Sequence, residues 1–246
     1  MKILFYDIET TPLKAWIWRL GEQHIRHDQL DTDHQMYKII CITYCWNDGK
    51  PAKALVWNQE THDSSEIVKK FDVLIGNADF TLGKNSDRFD VKHINIQRML
   101  AGFDGMPEWA KYTEDLEKQI RKHFALPSYS LDYLSKLLNL GGKKKMELQD
   151  WIDIVKFYGK SCKALRKMVS YGKKDVEDTR SLWVKLEPHL TPKWSMKTIK
   201  NDKGVCDHCG SKDVHKNGTR NAGKTMYQNW HCTAHGGYAG KTILKR

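Results

Sequence analysis

The stretch KILFYDIETTP, residues 2–12, constrains the fold more than any other part of the chain. Its apolar residues read as a β-strand, and Asp7 and Glu9 stand two apart within it. Residues i and i+2 of a strand project from the same face, so the two carboxylates lie about 6–7 Å apart along the chain. Moving a carboxylate out of water is costly unless something pairs with it. Two acids this close also raise each other's proton affinity unless a cation sits between them. The strand therefore either lies at a sheet edge with its acids in water or forms the bed of a divalent cation. A ligand set made only of oxygen favours Mg²⁺ or Mn²⁺ over zinc.

Two later segments supply further acids. In GKNSDRFDVKHIN, Asp90 follows Asn85 and an aromatic residue at the start of a predicted helix, where its ordinary role would be an N-cap. In YGKKDVEDTRSLW, Tyr171 and Asp175 are four apart and share one face of a predicted helix. Asn77 and Asp79 in FDVLIGNADF are rivals for the second segment, and Asp178 is a rival for Asp175. The N-x-x-x-F-D and Y-x-x-x-D spacings favour Asn85 with Asp90 and Tyr171 with Asp175. Together the segments form an ordered set of four acids and a phenol.

Around these segments the pattern predicts strands first and helices later. KILFYDIE, IICITYCW, AKALVW and VLIG read as strands, with a turn at NDGKP between the second and third. SSEIVKKFD, DVKHINIQRMLAGF, DLEKQIRKHF, SLDYLSKLLNL, ELQDWIDIVKFYG and residues 163–186 have helical spacing. The expected large domain, residues 1–190, is α/β with a mixed sheet flanked by helices. The segment that follows the first strand, residues 10–38, is long for a connection. Its Trp16 and Trp18 either pack onto the domain or stack on bases, and packing is the favoured expectation.

Charge divides the chain unevenly. Of the net +11, residues 193–246 carry +8, from 11 Lys and Arg against 3 Asp and Glu. The composition shift predicts a linker at 191–204 and a small basic domain at 205–246. Such a balance favours a polyanionic partner. In the basic domain, Cys206 and Cys209 form one C-x₂-C knuckle and Cys232 and His235 a second C-x₂-H knuckle, with 22 residues between. That spacing reads as a structural zinc ribbon with one Zn²⁺, His208 and His231 being rival ligands. Metal binding would supply stability that so short a segment lacks. Lys212, Lys216, Arg220 and Lys224, interleaved with Tyr227 and Trp230, suit a nucleic-acid surface; for Trp230 a place in the ribbon's core is favoured. No apolar run reaches the roughly 18–20 residues of a membrane span and no signal-peptide pattern opens the chain. Cysteine usage does not suggest a disulfide framework, so a cytoplasmic setting is expected.

FYDIETTP, GKNSDRFD and YGKKDVEDT together resemble the three motifs of the DEDD superfamily of 3′–5′ exonucleases, in its tyrosine-bearing branch. The resemblance covers roughly residues 1–186, and the layout is similar to phage-encoded exonucleases that end in a zinc ribbon. It implies a ribonuclease H-like fold and a two-metal site with Mg²⁺ or Mn²⁺ on Asp7, Glu9, Asp90 and Asp175, Asp7 bridging. It assigns Tyr171 to the attacking water, Thr10 and Thr11 to the terminal nucleotide, and Asn85 to nucleic-acid binding. The implied substrate is the 3′ end of single-stranded DNA, with RNA as the alternative. A DNA polymerase or replication complex is an implied partner, and a virus-encoded protein of the bacterial cytoplasm the implied setting. A non-catalytic nucleic-acid-binding protein on an old nuclease scaffold is the competing class, and four intact acids argue against it.

Overall fold

Strand β1 (Ile3–Thr10) is buried along its length except at Asp7 and Glu9, which are half-buried. It lies at the centre of a five-stranded sheet, which rules out an edge strand with its acids in water. The sheet is completed by β2 (Ile39–Trp46), β3 (Lys53–Val56), β4 (Phe80–Gly83) and β5 (Thr113–Asp115) in the order β3-β2-β1-β4-β5. The β1–β2 and β2–β3 pairs are antiparallel, and β1–β4 and β4–β5 are parallel, so the sheet is mixed. This computed structural model describes residues 2–22, 24–31, 36–104, 113–140, 145–159, 162–191, 206, 209, 211–222, 225–234 and 236–245. The linker expected at 191–204 lies outside the described residues apart from Thr191. The chain divides into two compact units, Lys2–Leu190 and Thr191–Arg246.

Alternation along β1 gives the sheet two different faces. Tyr6 points to one, where its ring lies 5.3 Å from Phe71 of α1 (Ser65–Gly76). The segment VLIG, expected as a strand, is the last turn of this helix. Ile67, Phe71 and Ile75 are buried at four-residue spacing, so the helical period runs through it. The fourth strand is instead Phe80–Gly83, immediately beyond. The other face is covered by α6 (Lys163–Leu186), whose buried stripe includes Met168, Gly172, Asp175, Val176, Thr179 and Trp183. At one end Trp183 meets Phe80 of β4, with ring centroids 6.1 Å apart. Helices α2 (Asp90–Leu100), α3 (Leu116–His123), α4 (Leu131–Leu137) and α5 (Leu148–Lys156) complete the unit.

The approach of α6 to the sheet is set by one missing side chain. A Cβ built on Gly172 would sit 2.9 Å from Cγ2 and 3.0 Å from Oγ1 of Thr43. Glycine therefore lets the helix backbone come down onto β2 directly beside Asp7, whose register partner is Thr43.

The segment after β1 leaves the sheet as a two-stranded arm. Ala15 bridges Leu30, Trp16 N–H donates to Gln29 O at 2.8 Å, and Asp31 N–H donates to Lys14 O at 2.8 Å. Trp16 is 69% exposed and Trp18 97%, so neither packs onto the domain as expected. An isolated bridge pairs the segment with itself, and Trp16 and Trp18 stay exposed, while Tyr37 near its end packs edge-on against His93 of α2.

The second unit is an antiparallel three-stranded sheet, β6 (Val214–Ala222), β7 (Thr225–Cys232) and β8 (Gly237–Lys245), with β7 in the middle. Among the described residues no helix is long and apolar enough to cross a membrane.

Gly172→Ala tests the seating of α6. In an open helix this change would stabilise by about 1 kcal/mol. Here the new methyl overlaps Thr43, and a net loss of about 1–3 kcal/mol is expected from thermal unfolding. Adding Thr43→Ala should recover most of it, and a stabilised single variant would refute the close approach.

Candidate active site and cysteine cluster

The parallel pairing of β1 with β4 runs only to Phe5↔Leu82, so β1 continues without a strand on that side. The Ile8 N–H, which has no strand to bond there, donates to Oδ1 of Asp90 at 3.0 Å in a buried bond. Asp90 is the first residue of α2, and Phe89 holds the N-cap position, so the carboxylate bonds the sheet rather than taking the ordinary capping role. This is the carboxyl end of two parallel strands, where open α/β sheets commonly bind ligands.

A second acid shapes the loop that delivers Asp90. Asp115 caps α3 by accepting from the N–H groups of Glu117 and Lys118, and it also accepts from those of Asn85 (2.9 Å) and Asp87 (3.2 Å). Asn85 has φ of +61°, a left-handed conformation for which Asn is several-fold enriched. Its placement thus fits a loop-shaping role. Asp115 was not singled out from the sequence, although an Asp just before a helical run is a legible N-cap signal.

The electrostatics tie the acids together. Burial raises the Asp90 carboxyl well above its ordinary range, with the charge of Asp7 as the next cause and Asp115 a smaller one. Cys41, opposite Glu9 in the β1–β2 register, is pushed up by burial and then by Glu9 and Asp7. The bulge between Glu9 and Thr10 sits at this end of the strand, a feature that commonly re-aims side chains. Asp175 is 6% exposed and lies on the stripe of α6 that packs against β1 and β2, three residues after the Gly172 contact. Tyr171, half-buried, precedes that glycine.

The rival acids are occupied elsewhere. Asp79 accepts the Lys2 N–H at 2.6 Å and the Asn77 side chain donates to Val73 O at 2.8 Å, both at the opposite end of β1. Asp178 forms an ion pair with Lys174 of its own helix. Thr10 and Thr11 are buried, and the Thr11 hydroxyl accepts the Lys38 N–H at 3.0 Å. All-oxygen donors whose negative charges raise one another's proton affinity fit a hard divalent cation such as Mg²⁺ or Mn²⁺.

In the second unit the thiols of Cys206, Cys209 and Cys232 all lie within 4.8 Å of one another. Cys209 Sγ and Cys232 Sγ are 3.7 Å apart, far longer than a disulfide. That separation matches the edge, about 3.8 Å, of a tetrahedron with the 2.3 Å bonds of zinc to sulfur. The cluster is therefore compatible with a zinc site. His235 and His208 lie outside the described residues, as does Lys224. His231 pairs across the strands with His215, ring centroids 5.1 Å apart, on the face opposite its neighbour Cys232. That orientation removes it from the ligand set. Trp230 packs against the cysteine cluster as expected, and its indole N–H donates to Thr242 Oγ1 at 2.9 Å. Lys212, Lys216 and Arg220 are exposed. Lys216 opposes Trp230 while Arg220 opposes Tyr227, so an irregularity between Lys216 and Thr219 puts the two cations on different faces.

No protein-family profile matches the chain, and no curated protein does. Among solved structures it is similar to the family B DNA polymerase from the hyperthermophilic archaeon Pyrobaculum calidifontis, with a TM-score of 0.54 and 15% identity. The match covers 76% of this chain and 24% of the polymerase chain, so the chain spans about a quarter of that protein's length. At that identity the likeness is one of fold alone, a mixed α/β fold.

Asp90→Asn keeps an acceptor for Ile8 while removing a charge. Without added Mg²⁺ or Mn²⁺ it should raise the melting temperature near neutral pH by about 2–4 °C, the equivalent of about 1 kcal/mol at this size. In the native protein the contribution of this group is complete below its ordinary value of 3.8 and is lost as pH rises through its raised folded-state value. The advantage of the Asn variant should therefore vanish near pH 3–4 and grow with rising pH. Saturating Mg²⁺ should reverse it, and a variant less stable than wild type at neutral pH would contradict the repulsion. Elemental analysis of the purified protein should find one zinc per chain. Cys232→Ser should lose it, and retention of a full equivalent would overturn the cluster.

Proposed function

We propose that the chain is a metal-dependent 3′–5′ exonuclease that hydrolyses phosphodiester bonds of single-stranded DNA. Asp7, Glu9, Asp90 and Asp175 carry the site on a ribonuclease H-like sheet, and the second unit is a zinc ribbon that helps to hold the nucleic acid. The observation that carries this reading is the closeness of Asp90 to Asp7 at the end of the central strand. Asp90 is fastened to β1 beside Asp7, and burial and then the charge of Asp7 hold its carboxyl well above the ordinary range. A divalent cation between these carboxylates would relieve the repulsion.

Two divalent ions on these carboxylates would supply an ionised water and neutralise charge on the phosphate and on the departing 3′ oxygen. The chain's own residues do the rest. Asp7 and Glu9 hold their carboxylates on a rigid central strand, while Asp90 is fixed by the Ile8 N–H. Gly172 seats α6 so that Asp175 faces the same sheet. Tyr171, one residue before, is assigned to orient the attacking water through its phenol. The strand order β3-β2-β1-β4-β5 and the fold likeness to a DNA polymerase support the assignment, as does the three-motif resemblance in the sequence.

The test is a time course on 5′-labelled single-stranded DNA and matched RNA with Mg²⁺, Mn²⁺ or chelator. A metal-dependent ladder shortening from the 3′ end is expected, with DNA the preferred strand. Asp7→Ala and Asp175→Ala should each lower the rate by about 10³-fold or more. Tyr171→Phe should lower kcat by about 10²-fold with KM little changed. Faster cleavage of RNA would change the substrate assignment, and full activity in either Ala variant would overturn the metal site.

A further inference from the structure

The three-stranded sheet of the second unit has two unlike faces. One carries Cys232 and Trp230 and forms the small core around the cysteine cluster, with Val214 and Ala239. On the other, the register places Tyr227 opposite Arg220, and His231 opposite both His215 and Tyr238. Side chains directly opposite on neighbouring strands share a face. Lys241 joins them, its ammonium 4.3 Å from the centroid of the Tyr227 ring. Tyr238 is 53% exposed, and Arg220, Lys241 and His215 are exposed.

We propose that this face binds single-stranded nucleic acid, with bases stacked on Tyr227 and Tyr238 and phosphates held by Arg220 and Lys241. The inference rests on the nucleic-acid reading above but not on cleavage, and it locates the contact surface within the basic unit. Charge complementarity argues for the occupant, because β6, β7 and β8 contain Arg, Lys and His but no Asp or Glu. Aromatic rings on an open sheet favour unpaired bases, whose flat faces are available, over a duplex, whose bases are stacked on each other. Of the described residues that the sequence marks for a nucleic-acid surface, Arg220 and Tyr227 fall here. Lys216 and Trp230 belong to the cysteine face.

Fluorescence anisotropy of the zinc-loaded full chain with 5′-fluorescein dT₂₀, without Mg²⁺ or Mn²⁺, tests the proposal. Tyr227→Ala/Tyr238→Ala should weaken binding at least tenfold, whereas Tyr227→Phe/Tyr238→Phe, which keeps both rings, should stay within about twofold of wild type. Arg220→Gln/Lys241→Gln should weaken binding and flatten the salt dependence by about 1.4 in log–log slope, the value for two phosphate contacts to a single strand. Each variant is checked for one zinc per chain, and should the Ala pair lose its zinc, the Phe and Gln pairs decide. Ala-pair affinity within twofold of wild type with zinc retained, an unchanged salt slope in the Gln pair, or equal affinity for a 20-base-pair duplex would overturn it. Cleavage of a five-nucleotide substrate in Mg²⁺ is scored separately. Its absence would count against the nuclease and leave the binding result intact.

Discussion

The hydrogen bond from the Ile8 N–H to Asp90 is the constraint on which the large unit depends. β1 outruns its parallel neighbour at this end, so a buried backbone donor needs an acceptor that no strand provides. An acid at the first residue of α2 supplies one, and helix and strand are thereby locked in mutual position. The acceptor carries a charge, and it lies in the field of Asp7. What satisfies the backbone thus creates an electrostatic problem in the same few ångströms. Around it the loop is stiffened by Asp115, which holds two of its N–H groups while capping the next helix.

The second unit follows a different logic. Its described buried residues are few, Cys206, Cys232 and Ala239 being the apolar ones, with Val214 and Trp230 packed against them. A core of that size supplies little stability by area alone, which is why three thiols within 4.8 Å of one another matter to it. With cohesion concentrated on one side of the sheet, the other side exposes Arg220, His215, Tyr238 and Lys241 among the described residues. It can present rings and cations to solvent.

Much of the large unit was legible because its signals are local. α6 was readable over its full length from period and composition, and the three acidic segments stood out by spacing. The errors came where a choice between periods depended on what lay across the sheet. VLIG is equally apolar as strand or helix, and only its alignment with Ile67 and Phe71 decides for helix. β5 is three residues long and has no alternation to detect. Trp16 and Trp18 were expected to find a surface, but the arm pairs with itself. The role of Gly172 was invisible for another reason, since a glycine in a helix gives no hint of a threonine on a strand more than a hundred residues earlier. In the basic unit, alternation could not sort Lys216 from Arg220 because a strand irregularity lies between them.

Seating α6 through Gly172 also has a consequence in time. β1 and Asp90 both belong to the first half of the chain, whereas Asp175 arrives with the last long helix of the unit. A chain growing on a ribosome can pair its central strands well before that helix emerges. The carboxylate set is then incomplete, and under the proposed function a partly made chain would lack the means to cut nucleic acid nearby. Closure of the site through such distant contacts is slow to nucleate compared with local pairing. Competence therefore comes at the end of assembly, as a property of the finished unit rather than of any segment within it.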